Sequence, residues 1–242
     1  MKIHAIIGGA TGLGGALARL LAESGDAIWL ADDPAAAPNT PALPQVSFHP
    51  LDLADPAAPQ AFADAIAQRH SRLDSLVVAA SAMSQAPLAE WQIADWDRAA
   101  AINLRLPFLA AQAMQTLLVG SKGSLVLVSS TATLRGQPQT HAYQATKAGL
   151  AGLMRSLASE LGPLGVRVNL VLPGWVDTAQ TRAFWDAQAD AGAARAAVEA
   201  RIPLRRHGSA AEVAAALAWF LSDAASYVTG AMLPLDGGDT AV

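Results

Sequence analysis

Tyr143 and Lys147 stand four residues apart in His141-Ala142-Tyr143-Gln144-Ala145-Thr146-Lys147-Ala148, thirteen residues after Ser130. A helix over residues 141 to 161 puts both side chains on one face, aiming a phenol and an ammonium at one point. A neighbouring cation favours phenolate over phenol, so Lys147 is expected to lower the pKa of Tyr143 from its reference value of about 10. A tyrosine tuned in this way exchanges a proton with an alcohol or ketone oxygen. Such pairs also decorate solvated helix faces, so this one gains its meaning from the rest of the chain.

Near the start, Ile7-Gly8-Gly9-Ala10-Thr11-Gly12-Leu13-Gly14 follows a strand-like run and opens a helical one. Gly8, Gly12 and Gly14 permit a tight turn that brings backbone amides and a helix N-terminus to a pyrophosphate, with Leu13 in the same turn. Asp32 ends the next apolar run, eighteen residues beyond Gly14, where an acid would hold adenosine ribose hydroxyls. Its carboxylate would face the 2'-phosphate of NADP. At about 4 Å and an effective dielectric of about 20, two unit charges repel by roughly 4 kcal/mol. Thr11 and Asp33 offer no compensating base, so NAD(H) is expected in preference to NADP(H).

The elements that must position these residues are legible as short apolar runs at residues 3–7, 27–31, 46–49, 75–79, 124–128, 166–171 and 232–235, with helical spacing between them. Runs without polar alternation, such as Leu125-Val126-Leu127-Val128, suit parallel strands covered on both faces. The expected fold class is α/β: a single-domain, Rossmann-like, doubly wound parallel sheet of about seven strands with helices on both faces, spanning residues 1–242. Ligands then bind at the carboxyl ends of the strands, where the motifs cluster. Gly162-Pro163 is expected to stop the Tyr143 helix, and Ser209 with Glu212 reads as a capping box.

Composition narrows the function classes. The chain of 242 residues has no cysteine, which removes disulfides, thiol nucleophiles and cysteine metal sites and fits a cytoplasmic protein. No metal site is expected. A net charge of -4 gives no electrostatic footprint for nucleic acid. Glycine, proline and polar residues interrupt every apolar stretch before it reaches membrane-spanning length, and five glycines break the one run that imitates a signal peptide. Small-molecule chemistry is the remaining class.

Together these residues resemble the classical short-chain dehydrogenase/reductase family over almost the whole chain. The family's ordered motifs are matched by Gly8, Gly12 and Gly14, then Asn103 in Ala101-Ile102-Asn103-Leu104, then Ser130, then Tyr143 and Lys147. The resemblance implies that Tyr143 is the general acid in reduction and the base in oxidation, and that Ser130 hydrogen-bonds the reacting oxygen. It implies too that Lys147 binds nicotinamide ribose and that Asn103 holds a water linking Lys147 to solvent. Asp52 with Leu53 is similar to the family's adenine contact, Ala79 follows the fourth strand beside the cofactor, and Pro173, Gly174, Val176 and Thr178 resemble its nicotinamide loop. A homotetramer or homodimer is implied, through the Asn103 and Tyr143 helices and the C-terminal segment. Two departures stand out: Ile7 where the family commonly has Thr, and Val78-Ala79-Ala80-Ser81 where it commonly has Asn-Asn-Ala-Gly. Strands one and four should be neighbours, so Ile7 and Val78 are expected to meet in an apolar contact replacing a polar brace.

The leading expectation is an NAD(H)-dependent oxidoreductase interconverting a secondary alcohol and a ketone. The alternatives are a 3-oxoacyl-thioester reductase, disfavoured by Asp32, and a non-catalytic dinucleotide sensor, disfavoured by the intact Ser130, Tyr143 and Lys147. Substrate choice is expected in residues 81–88, 131–141 and a loop and lid at about 175–204. There Met83, Leu134, Trp175, Phe184 and Trp185 suggest an apolar pocket. Arg135 and Arg182 are either solvated or partners for an acidic substrate group. Residues 179–200 are expected to form a mobile lid, because an alanine-rich segment with Gly192 buries little.

Overall fold

The structure, a computed structural model, describes all 242 residues. The chain alternates strand and helix: β1 (Ile3–Ile7), α1 (Gly12–Glu23), β2 (Ala27–Asp32), β3 (Val46–Pro50), α2 (Ala58–Ala67) and β4 (Ser75–Val78) form the first half. Then come α3 (Ile93–Ala100), α4 (Leu106–Ser121), β5 (Ser124–Val128), α5 (His141–Leu161) and β6 (Arg167–Pro173). The remainder is β7 (Val176–Asp177), α6 (Ala179–Asp186), α7 (Ala191–Arg201), β8 (Gly208–Ser209), α8 (Ala210–Leu221) and β9 (Met232–Leu235).

Seven strands make one parallel sheet in the order β3-β2-β1-β4-β5-β6-β9. This is the doubly wound fold expected from the unbroken apolar runs, and its strand order reverses between β1 and β4. Two apolar layers explain why those runs lack alternation. One face of the sheet joins residues of α2, α4 and α5, including Phe62, Met114 and Met154, to a large buried cluster. The other carries a second cluster with Leu17 and Leu21 of α1 and Leu217 and Phe220 of α8. The five inner strands therefore bury side chains above and below, while the edge strands β3 and β9 are only partly buried.

Ile7 and Val78 are paired in register across β1 and β4, and both are buried in the larger cluster. The two departures thus meet as an apolar contact at the switch point. Ser209 and Glu212 complete the capping box at the start of α8. α5 stops at Leu161, as Gly162-Pro163 predicts, but Gly162 keeps right-handed helical dihedrals. The reversal falls at Gly165, with φ of 88°, after a short tight turn. No helix is long and apolar enough to cross a membrane.

Candidate active site

The carboxyl ends of β1, β4, β5 and β6 open into two adjoining cavities, of about 240 and about 270 Å³. The turn after β1 forms one wall of the first. Gly8 has φ of 81°, and a Cβ there would lie 2.2 Å from the Ala80 nitrogen, so only glycine lets this turn touch the end of β4. Gly12 and Leu13 line the cleft at the start of α1, whose first turn carries no acid to repel an anion. Gly14 does not line it. A Cβ at Gly14 would sit 2.4 Å from the Gly9 Cα, so its part is close packing of helix on turn beneath the cleft.

Asp32 marks one end of this cleft. One carboxylate oxygen accepts from the Ala10 nitrogen at 2.9 Å and the other from the Asp33 nitrogen at 2.8 Å, which fixes its position. Apart from Lys147, no basic residue lines the cleft. Leu53 and Ala79 contribute apolar wall, and Pro173, Gly174, Val176 and Thr178 close it from the β6 side. Asp52 lies outside the lining, exposed, with its carboxylate turned back to the Ala54 nitrogen at 2.9 Å. The cleft is an elongated slot with an acid at one end, open backbone in the middle and Lys147 at the other. Those features suit a dinucleotide: ribose hydroxyls at the acid, pyrophosphate at the turn, a second ribose at the lysine.

Ser130, Tyr143 and Lys147 converge at the inner end. Ser130 follows β5 and caps a short turn, its Oγ accepting from the Ala132 nitrogen at 3.1 Å. Tyr143 and Lys147 project from the first turns of α5, with the lysine Nζ 5.9 Å from the tyrosine ring centre. Lys147 is 2 % exposed, and its Nζ donates to the carbonyls of Val128 at 2.9 Å and Ala80 at 3.4 Å. Burial without a carboxylate partner lowers its pKa to about 7.

That arrangement corrects the tuning expected from spacing alone. Burial raises the pKa of Tyr143, and the groups that pull it back are the hydroxyls of Ser130 and Ser81. Lys147 does not lower it. The lysine is itself so desolvated that its charge is marginal at neutral pH, and two main-chain carbonyls hold its donors. Ser81 stands in the sequence as the end of a family departure and the start of a substrate segment, with no role in the proton chemistry expected for it. It lines the cleft with Ser130 and Tyr143, near enough to the phenol to lower its pKa, and its buried Oγ makes no well-formed hydrogen bond elsewhere in the protein. The available signal was a hydroxyl at a position that commonly holds glycine.

Asn103 sits in a π-helical turn, Ala101–Arg105, between α3 and α4. Its side chain is fully buried and clamps the loop after β4: Oδ1 accepts from the Ala82 nitrogen and Nδ2 donates to the Ala82 carbonyl, both at 2.8 Å. The second amide hydrogen goes to Thr146 Oγ1 at 3.1 Å, on α5 between Tyr143 and Lys147. Both amide hydrogens are thus engaged with protein. The side chain ties the Ser81 loop to the Tyr143 helix and has no N–H left for a water.

The second cavity adjoins the first across Ser130, Tyr143 and Gly174. Of the apolar residues expected there, Met83, Trp175 and Phe184 line it. Leu134 is exposed away from it, and Trp185 is buried behind Trp175, stacked at 4.6 Å between ring centres. Arg135 lines the cavity and Arg182 does not. His141 begins α5 and leans on Trp91 at 5.8 Å, outside both linings. α6 contributes Gln180, Thr181 and Phe184 to the lining, and α7 contributes Arg201. α7 buries none of its residues and α6 buries only Trp185, while Glu199 reaches His207 at 2.6 Å.

Comparison with known proteins agrees with this geometry. The family described as enoyl-(acyl carrier protein) reductase matches residues 8–240. Cis-4-hydroxycyclohexanecarboxylate dehydrogenase of Sinomonas cyclohexanicum is 38% identical over 100% of this chain and 97% of its own. The 3-oxoacyl-(acyl-carrier-protein) reductase of Thermotoga maritima is 32% identical over 98% of this chain and 97% of its own. A crystal structure of levodione reductase superposes with a TM-score of 0.92 at 30% identity, covering 100% of this chain and 98% of that one.

Proposed function

Because the chain belongs to the classical short-chain dehydrogenase/reductase family and is an oxidoreductase of it, we propose that it interconverts a secondary alcohol and a ketone with NAD(H), using Tyr143 as general acid and base. One observation carries the reading: Ser130 and Tyr143 lie in the wall shared by the dinucleotide-shaped cleft and the second cavity. A carbonyl carbon held there would face the cleft while its oxygen met both hydroxyls.

The nicotinamide, when bound, supplies or takes the hydride. The protein handles the proton. In reduction the Tyr143 hydroxyl protonates the developing alkoxide, and Ser130 donates a hydrogen bond to the same oxygen as its charge grows. Ser81, in the same cleft lining, favours the phenolate that remains. Lys147 would hold the nicotinamide ribose with Nζ hydrogens directed at its hydroxyls, and bound cofactor would relieve part of its isolation. Asn103 positions the Ser81 loop against α5.

Asp32 favours NAD. Its carboxylate is anchored at the end of the cleft, where a 2'-phosphate would meet it without a neighbouring base. The same residue disfavours a role as an NADP-linked 3-oxoacyl-thioester reductase, although relatives include such enzymes. α6 and α7 serve as the lid, since both line the second cavity while burying little. Assembly is proposed as a homotetramer through α4 and α5; sedimentation as a monomer at micromolar concentration would overturn that part.

The test is turnover of NAD+ or NADH against a panel of secondary alcohols and ketones, beside Tyr143→Phe. Tyr143→Phe is expected to lower kcat by about 10²- to 10⁴-fold while leaving NADH affinity nearly unchanged. Wild-type rates retained in the variant would overturn the mechanism. NADH binding without turnover of any panel member would instead point to a dinucleotide sensor.

A further inference from the structure

The second cavity has a cationic side that the hydride and proton chemistry does not use. Arg135, in the loop after β5, and Arg201, at the end of α7, both line it together with Asp239. Asp239 is buried, with its side chain 4 % exposed, and it draws the two guanidinium groups together. Arg201 donates to it through Nε at 3.0 Å and Nη2 at 3.5 Å, and Arg135 through Nη1 at 3.2 Å. Arg135 also donates from Nη2 to the Val242 main-chain oxygen at 3.4 Å. Four N–H donors are engaged in this way, and each guanidinium carries five, so both keep donors free.

Of the charged groups lining the cavity two are guanidiniums and one is a carboxylate, while Asp236, which faces Arg135, and the Val242 oxygen lie outside the lining. Guanidinium groups held in place by a common acceptor are preorganised, so a further oxyanion meets fixed donors with little ordering to do. Trp175, Phe184 and Met83 line the same cavity and present apolar surface. The cavity therefore offers hydroxyl donors at Ser130 and Tyr143, an apolar stretch and a cationic site.

We propose that Arg135 and Arg201 form a carboxylate-binding subsite, so that the substrate is a hydroxy or oxo acid whose carboxylate is separated from the reacting carbon by an apolar body. This rests on the dehydrogenase reading of Ser130 and Tyr143, because that reading fixes which end of the substrate reacts. It adds what holds the other end. Neutral alcohols and ketones of the same shape would fit the cavity but leave the guanidinium donors to water.

Binding tests the subsite without requiring turnover. Calorimetric titration of the NADH-loaded protein with cyclohexanecarboxylate and with neutral cyclohexanecarboxamide is expected to show the acid bound about tenfold or more tightly, the scale of one charge-assisted hydrogen-bonded pair. That preference should shrink with added salt and disappear in Arg135→Met and in Arg201→Met. Arg135→Lys, which keeps the charge and loses the fork, should retain part of it. Equal affinity for acid and amide in the wild type, or a preference that survives both methionine variants, would overturn the proposal. Turnover is the separate readout. Neutral ketones reduced by a protein with no acid preference would sink the subsite alone, and acid binding without turnover of any substrate would sink the dehydrogenase reading alone.

Discussion

Replacing Lys147 by methionine removes a buried charge while nearly conserving the length of the side chain, and its surroundings set the size of the effect. Burial lowers its ammonium from the ordinary 10.5 to about 7. In the unfolded chain the group keeps its proton up to about pH 10.5. Between pH 7 and 10.5 the unfolded state therefore binds more protons than the folded one, and stability rises with pH across that window. The gap between 10.5 and about 7, at about 1.4 kcal/mol per pH unit, amounts to about 5 kcal/mol of stability withheld below pH 7. Bonds from Nζ to the Val128 and Ala80 carbonyls favour the ammonium and make this a ceiling. The same carbonyls lose their donor in Lys147→Met, which costs stability at every pH. The slope is therefore the diagnostic. Urea unfolding of wild type and Lys147→Met at several pH values from 7 to 10 is expected to show the variant's relative stability falling by up to about 1.4 kcal/mol per pH unit, with turnover lost throughout. A stability difference that stays constant from pH 7 to 10 would refute the reasoning, because Lys147 would then titrate alike in the folded and unfolded chain.

Asp32→Asn keeps the acceptor for the Ala10 nitrogen and removes the charge, so the kcat/KM ratio of NAD to NADP should fall by about 10²-fold or more; an unchanged ratio in steady-state assays would contradict the role given to this acid. Ser81→Gly removes one of the two hydroxyls that lower the pKa of Tyr143. The rise of kcat/KM with pH in alcohol oxidation should then move to higher pH, with a loss of about three- to tenfold at neutral pH. A profile superimposable on the wild type would show that Ser81 does not touch the proton chemistry.

The strand runs, the single parallel sheet, the helix from His141 and the capping box were all legible in the sequence, because each depends on local pattern: apolar runs, helical spacing, and a Ser-x-x-Glu start. The ordered Gly8, Ser130, Tyr143 and Lys147 were legible for a related reason, since a parallel sheet brings the ends of successive strands to one edge. Asn103 was legible as a site residue, but its side-chain contacts were not. Only the folded chain shows both amide hydrogens committed to Ala82 and Thr146. Gly14 was read from the turn and Asp52 from the family resemblance, and in the folded chain neither lines the cleft: one packs below it and the carboxylate of the other turns back to the Ala54 nitrogen.

What the sequence determined by itself is the chemistry available: a phenol, an ammonium and a serine at fixed spacing, behind a glycine turn and an acid. Tertiary structure decided how that chemistry is tuned. Spacing puts Lys147 near Tyr143, but desolvation depends on everything packed around both, and it leaves the lysine near neutrality and gives the tuning of the tyrosine to Ser130 and Ser81. The meeting of Arg135, Arg201 and Asp239 was likewise decided by the fold, since residues separated by 66 and 38 positions share a carboxylate only where a loop and a helix end close over the same cavity.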